Sequence, residues 1–143
     1  MKVLYTANAR ATGDGREGRV STSDGTLELD LAAPKELGGA GNAANPEQLF
    51  AAGYAACFHS ALRMVARQAK VDVTGSVVDA EVGIGPNDAG GFGLTVALTV
   101  DLPAAPREAA EQIVAKAHQV CPYSNATRGN IEVAVAVREA LAA

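Results

Sequence analysis

The stretch Asn45 to Lys70, NPEQLFAAGYAACFHSALRMVARQAK, constrains the fold more than any other part of the chain. It predicts one long, largely apolar helix. Asn45 is a good N-cap, Pro46 suits the first helical position, and Gln48 completes a capping-box spacing. Beyond them Phe50, Gly53, Cys57, Ala61 and Met64 recur at steps of three and four residues. That stripe places Cys57 on the apolar face that should be buried. A lone helical thiol on such a face is ordinarily inert core. It becomes a chemical candidate only because Cys121 lies in a similar setting.

The rest of the chain supplies strands and one more helix. Val3 to Ala9 reads as a strand, followed by a Gly-rich charged loop from Thr12 to Arg19. Arg19 to Ser23 and Thr26 to Leu31 flank Asp24-Gly25, a two-residue hairpin signal. Leu27, Leu29 and Leu31 alternate with Glu28 and Asp30, which predicts one buried and one wet face. Ala32 to Ala44 is a loop broken by Pro34 and a glycine run. After the long helix, Val71 to Ile84 reads as a strand with Gly75 as a bulge. Phe92 to Leu102 follows, with Leu94, Val96, Leu98 and Val100 alternating, and the two form a hairpin. Pro106 opens a second helix whose stripe is Ala110, Ile113, Ala117 and Val120 or Cys121, and Pro122 ends it. Ile131 to Val137 is a last strand. The order is βββ-α-ββ-α-β, which predicts an α+β domain spanning 1–143 with mostly antiparallel pairing rather than a doubly wound sheet.

Composition narrows the function classes. The 143 residues suit one domain. Hydrophobic residues make up 48% of the chain, but aromatics only 4%, and there is no Trp. Such small side chains bury little area each, which points to an oligomer. The net charge is −4 with no basic run, against nucleic-acid binding. No apolar run reaches membrane-spanning length and no signal-peptide pattern follows Lys2, so a cytoplasmic protein without a membrane is expected. Two cysteines in a reducing compartment point to redox activity rather than a structural staple.

Several motifs are weaker than they look. Gly83-Ile84-Gly85 lies between two strands and lacks the Lys-Ser/Thr of a phosphate cradle. Cys57 and His59 are two apart on a helix and point to different sides. His118 and Cys121 share a face and with Cys57 would make three metal ligands, but without a fourth or typical zinc spacing. His59 reads as a surface or interface residue. The two thiols remain. Packing their helices together would bring Cys57 and Cys121 within disulfide reach. A buried mid-helix thiol has a raised pKa, so reactivity requires a nearby cation, best an arginine oriented by a carboxylate. Arg10, Arg16, Arg19, Arg63, Arg67 and Arg128 are all candidates, and Glu47 is a candidate acid, its alternative being a plain helix-dipole role.

The segments Asn45-Pro46-Glu47-Gln48-Leu49-Phe50-Ala51-Ala52-Gly53-Tyr54-Ala55-Ala56-Cys57-Phe58 and Val120-Cys121-Pro122-Tyr123-Ser124-Asn125-Ala126-Thr127-Arg128-Gly129-Asn130 resemble the two signatures of the organic hydroperoxide resistance proteins, within the OsmC-like superfamily. Gly15-Arg16-Glu17-Gly18-Arg19, Ser23-Asp24-Gly25, Glu36-Leu37-Gly38-Gly39 and Gly91-Phe92-Gly93-Leu94 resemble that family too, so the likeness covers essentially the whole chain. The resemblance implies an OsmC-like intertwined homodimer and a thiol peroxidase acting on organic hydroperoxides. It matches Cys57 to the peroxidatic cysteine, Cys121 to the resolving one, Arg16 to the arginine that activates the thiolate, and Glu47 to the acid that holds it, with Arg19 as the alternative to Arg16. It implies no metal or flavin cofactor, and an external dithiol reductant, dihydrolipoamide on a lipoylated protein partner.

If those roles hold, helix geometry adds an expectation. Glu47 and Cys57 are ten residues apart, about 15 Å along a helix axis. Glu47 would then serve the Cys57 of a partner chain, with active sites at the dimer interface. The rival readings are a redox sensor or lipophilic-ligand binding module using the same thiols, and a metal-binding protein using His118.

Overall fold

A computed structural model describes residues 1–140. The chain divides into two compact units, Met1–Leu49 and Phe50 onward.

The first unit is a three-stranded antiparallel sheet in the order β1 (Ala9–Thr12), β2 (Arg19–Thr22), β3 (Glu28–Asp30). The first strand thus lies later than expected. The Ala9↔Thr22 pair is the end of the β1–β2 register, and one further bond runs from the Ser23 amide to the Asn8 carbonyl. Beyond it β2 has already turned into its hairpin, so residues 3 to 7 have no ladder to join, and Val3, Leu4 and Tyr5 are exposed. The β2–β3 connection is a four-residue loop rather than a two-residue turn, closed by the Thr22 amide on the Leu27 carbonyl. Asp24 organises it by accepting from the Thr22 hydroxyl and from both the amide and hydroxyl of Thr26. Leu29 and Leu31 are half-buried, but Leu27 stays exposed. Between β1 and β2 the chain makes a 3-10 turn, Gly15–Glu17. A Cβ on Gly18 would lie 2.1 Å from the Thr12 carbonyl oxygen, so this tight return admits no side chain.

The long helix α1 spans Pro46–Ala69. Its start is a reciprocal capping box: the Gln48 amide donates to Asn45 Oδ1, and the Asn45 amide donates to Gln48 Oε1. Against the sequence expectation, α1 is long and apolar enough to cross a membrane by length and composition. Tyr54, Phe58, Ala61, Leu62, Val65 and Ala66 of this helix are buried in the protein core.

That core belongs to the second unit. Strands β4 (Val77–Pro86) and β5 (Phe92–Asp101) form an antiparallel hairpin, and β6 (Val133–Val137) lies beside β5, giving the order β4-β5-β6. β6 runs parallel to β5, an exception to the antiparallel expectation. The strand expected from Val71 starts only at Val77. Asp72 takes the amide and hydroxyl of Thr74, and Gly75, at φ 77°, belongs to the turn that follows rather than to a bulge. Helix α2 (Arg107–Val120) leads directly into a short helix α3 (Pro122–Thr127) that the sequence reading did not anticipate. Pro122 holds the preceding Cys121 extended, which stops α2, and then serves as the first residue of α3.

One core cluster joins Tyr54, Phe58, Leu62, Val65 and Ala66 of α1 with Val96, Leu98 and Val100 of β5 and Ala110, Ile113, Val114 and Ala117 of α2. The buried stripe of α1 is therefore rotated from the one expected. Cys57, Phe50 and Gly53 lie half-buried on its flank, and Met64 is exposed.

Candidate functional site

Each unit carries one part of the predicted constellation. In the first, Arg16 on the 3-10 turn reaches Glu47 in the first turn of α1. The pairing is bidentate: Nη1 donates to Oε2 and Nη2 to Oε1, both at 2.8 Å. Glu47 is the more buried partner, with 13% of its side chain exposed against 41% for Arg16. The hydrogen bonds from Arg16 hold the Glu47 carboxyl below its ordinary range, against the opposing effect of burial. The same bonds raise the guanidinium further, so both groups stay charged. Arg19, the alternative, is engaged elsewhere: it bonds Asp30 and Glu28 on the exposed face of the sheet. Glu17, between the two arginines, accepts from the Ala33 amide and ties the turn to the following loop.

In the second unit the two thiols meet. Cys121 Sγ, fully buried, donates to Cys57 Sγ at 3.7 Å, and both cysteines are free. A disulfide would need the sulfurs at about 2.05 Å, so a small relative shift closes it. Burial pushes the Cys57 thiol above its ordinary value and the neighbouring Cys121 pushes the same way, while the nearby backbone amide of Tyr123 opposes them. This amide was not legible in the sequence, because it depends on α3 beginning at Pro122. Around the thiol pair, Phe50, Tyr54 and Tyr123 form an aromatic group with ring centroids 5.7 to 6.3 Å apart. The Tyr123 ring lies over Gly53, where a Cβ would sit 3.1 Å from its hydroxyl.

The remaining candidates go elsewhere. His118 Nδ1 faces Ser124 Oγ at 2.8 Å, and among the described residues no group of three or more His, Cys, Asp and Glu is placed to hold a metal ion. His59 Nε2 pairs with Ser76 Oγ at 2.8 Å, and burial holds its pKa below the ordinary value. Arg128 spans Asn125 Oδ1 and the His118 carbonyl, and Arg63 and Arg67 are exposed on α1.

The sequence profile of OsmC-like proteins matches residues 39–136. The chain belongs to that family. Within it, the chain is 58% identical over 134 residues to the organic hydroperoxide resistance protein of Xanthomonas axonopodis pv. citri (strain 306), covering 92% of this chain and 93% of the relative. It is 49% identical over 142 residues to the organic hydroperoxide resistance protein OhrA of Bacillus subtilis (strain 168), covering 95% and 97%. Among solved structures, an organic hydroperoxide resistance protein from Legionella pneumophila superposes with a TM-score of 0.92 at 53% identity, covering 96% of this chain and all of that one. A Vibrio cholerae protein with captopril bound in one of its active sites superposes at 0.91 with 57% identity, covering 96% and 94%. The α+β fold expected from the sequence is thus that of the OsmC-like family.

Proposed function

We propose that this protein is a thiol-dependent peroxidase that protects the cytoplasm from organic hydroperoxides. The observation that carries the reading is the Cys57–Cys121 pair, with one half-buried and one fully buried sulfur at 3.7 Å. The names of its relatives, organic hydroperoxide resistance proteins, agree with peroxide detoxification.

The Cys57 thiolate attacks the terminal oxygen of ROOH; the O–O bond breaks, an alcohol leaves after protonation, and Cys57 is oxidised to a sulfenic acid. The Cys121 sulfur then attacks that sulfur. The S–O bond breaks, its oxygen leaves as water with the thiol proton, and a disulfide forms. An external dithiol, dihydrolipoamide carried on a lipoylated protein, returns both thiols and is itself oxidised to a cyclic disulfide. The chemistry needs no resident cofactor. The aromatic flank of Phe50 and Tyr123 suits an alkyl or lipid substituent better than hydrogen peroxide.

A thiol raised by burial needs a cation to be nucleophilic at neutral pH. The Arg16 guanidinium is the candidate for such a cation, held in place by Glu47. Glu47 and Cys57 are ten residues apart in sequence, which along a helix amounts to about 15 Å of rise. We therefore assign the pair to the Cys57 of a second copy, with active sites at a homodimer interface.

The test is hydroperoxide consumption by the purified protein with a dihydrolipoamide system, comparing cumene hydroperoxide with hydrogen peroxide. Turnover faster with the organic substrate and abolished by Cys57→Ser is expected. Cys121→Ser should consume about one equivalent and stall, since its sulfenic acid has no resolving partner. Absence of turnover with any dithiol, despite reduced thiols, would refute the peroxidase and favour a redox sensor.

A further inference from the structure

Cys57 and Cys121 lie 64 residues apart in sequence. What sets their separation is the way the Cys121–Pro122 joint is fixed against α1. A chain of buried polar groups spans that distance. Tyr54 OH, one turn before Cys57, lies 3.0 Å from Ser124 Oγ and 3.2 Å from Thr127 Oγ1. Ser124 Oγ lies 2.8 Å from His118 Nδ1. Thr127 Oγ1 in turn bonds the Tyr123 and Ser124 carbonyls at 3.0 and 3.1 Å. Tyr54 and Ser124 are completely buried, and Thr127 is nearly so.

Counting protons fixes the direction of every bond. A carbonyl can only accept, so the Thr127 proton goes to the backbone. Tyr54 must then donate to Thr127, and Ser124 to Tyr54. Only one donor remains to satisfy Ser124, which is an Nδ1–H on His118. The assignment that serves all contacts runs His118 Nδ1–H to Ser124, Ser124 to Tyr54, Tyr54 to Thr127 and Thr127 to the α3 backbone. Neutral His118 is thereby held in its Nδ1–H tautomer, and the imidazolium carries the same donor, so either form completes the chain.

The members bracket the chemistry. Tyr54 is three residues before Cys57 on α1; Ser124 is three after Cys121 at the start of α3; His118 is three before Cys121 on α2. The chain therefore ties all three elements around the sulfur pair. We infer that Tyr54, Ser124 and His118 are positioning residues that hold Cys121 against Cys57, and so set the ease of disulfide closure. This rests on the peroxidase reading for its biological use, but the positioning itself concerns only the two thiols.

The test separates the two. Full-length protein is equilibrated in glutathione redox buffer without peroxide, and the fraction of Cys57–Cys121 disulfide gives the effective concentration of one thiol toward the other. Two protein thiols and one oxidised glutathione give one protein disulfide and two reduced glutathiones, so the exchange balances. Ser124→Ala and Tyr54→Phe should each lower that effective concentration roughly five- to tenfold, the worth of one net hydrogen bond. In peroxide-treated protein, dimedone trapping should find the sulfenic acid longer-lived by a similar factor. Should either buried variant fail to fold, His118→Ala and His118→Asn carry the test from the half-buried end. Asn presents an N–H close to the imidazole Nδ1, so His118→Asn should restore the closure that His118→Ala loses. Wild-type closure in folded Ser124→Ala, or equal closure in the two His118 variants, would overturn the inference. Because the equilibrium needs no hydroperoxide, it can hold or fail whether or not the wild type turns over peroxide.

Discussion

Gly53 offers the most direct trial of how tightly the thiol region is packed. It sits inside α1, where a glycine costs about 1 kcal/mol relative to alanine. Nothing about backbone angle requires it, since its φ is ordinary for a helix. The requirement is steric: a Cβ would meet Tyr123 at 3.1 Å (hydroxyl), 3.2 Å (Cε2) and 3.5 Å (Cζ). Comfortable carbon contacts lie at about 3.5–4.0 Å, so the ring must retreat by a few tenths of an ångström. The atoms in the way are the far end of a flexible side chain, 40% exposed in the single chain. A swing of that size is well under the 30° departure that costs about 0.5–1.5 kcal/mol. Gly53→Ala should therefore be net stabilising, by about 0.5 kcal/mol, which for a chain of this length raises Tm by about 2 °C. Gly53→Val adds two methyls that the same retreat cannot clear, and should be destabilising. Thermal unfolding of both variants beside wild type is the assay. A Gly53→Ala protein destabilised by more than about 1 kcal/mol would refute the reasoning, because it would mean the Tyr123 ring is fixed and the gain in helix propensity is overwhelmed.

Two further outcomes follow from the local geometry. Asn45→Ala removes the side-chain half of the reciprocal cap and should cost about 1 kcal/mol in denaturant unfolding, with Asn45→Ser recovering most of it; equal stability of all three would show the cap contributes nothing. Asp24, held by three hydrogen bonds from Thr22 and Thr26, has its carboxyl pulled from 3.8 down to about 2. A depressed acid contributes stability that is fully present above its ordinary pKa and is lost as pH falls through the folded one. The contribution of the loop to stability should thus start to fall below about pH 4, while in the folded chain the Thr26 amide bond persists to about pH 2; a carboxyl titrating by NMR near 3.8 would contradict the geometry.

Some of this architecture was legible in sequence and some was not, for identifiable reasons. The alternation of Val96, Leu98 and Val100 gave their strand and its buried face, and Asn45 and Gln48 gave the start of α1, because both signals are local. The phase of α1 was not local. Its many alanines permit several apolar stripes, and the choice fell to Tyr54, Phe58 and Leu62 because the core accepts the larger side chains. Tyr54 can be fully buried only because Ser124 and Thr127, some seventy residues on, satisfy its hydroxyl. Alternation in β6 showed a strand but not its direction. Pro122 reads equally well as a stop and a start, and only the continuation to Thr127 decides. Glu47 was already a candidate acid from its residue type and position, but only the family likeness selected Arg16 from six arginines, and the structure pairs the two while sending Arg19 to Asp30.

The parallel pairing of β6 with β5 also bears on how the molecule assembles. An antiparallel hairpin such as β4–β5 can zip from its own turn, but two parallel neighbours need the chain to travel back the full length of the sheet. Here the returning segment is α2 and α3, and Cys121 sits at their joint, in the middle of the crossover. The two sulfurs therefore come together only once that long excursion has docked, and contacts of such sequence separation are the slow ones to form. A chain in which α2 and α3 have not docked against α1 has Cys57 without Cys121 beside it, so the thiol pair exists only where that packing has formed.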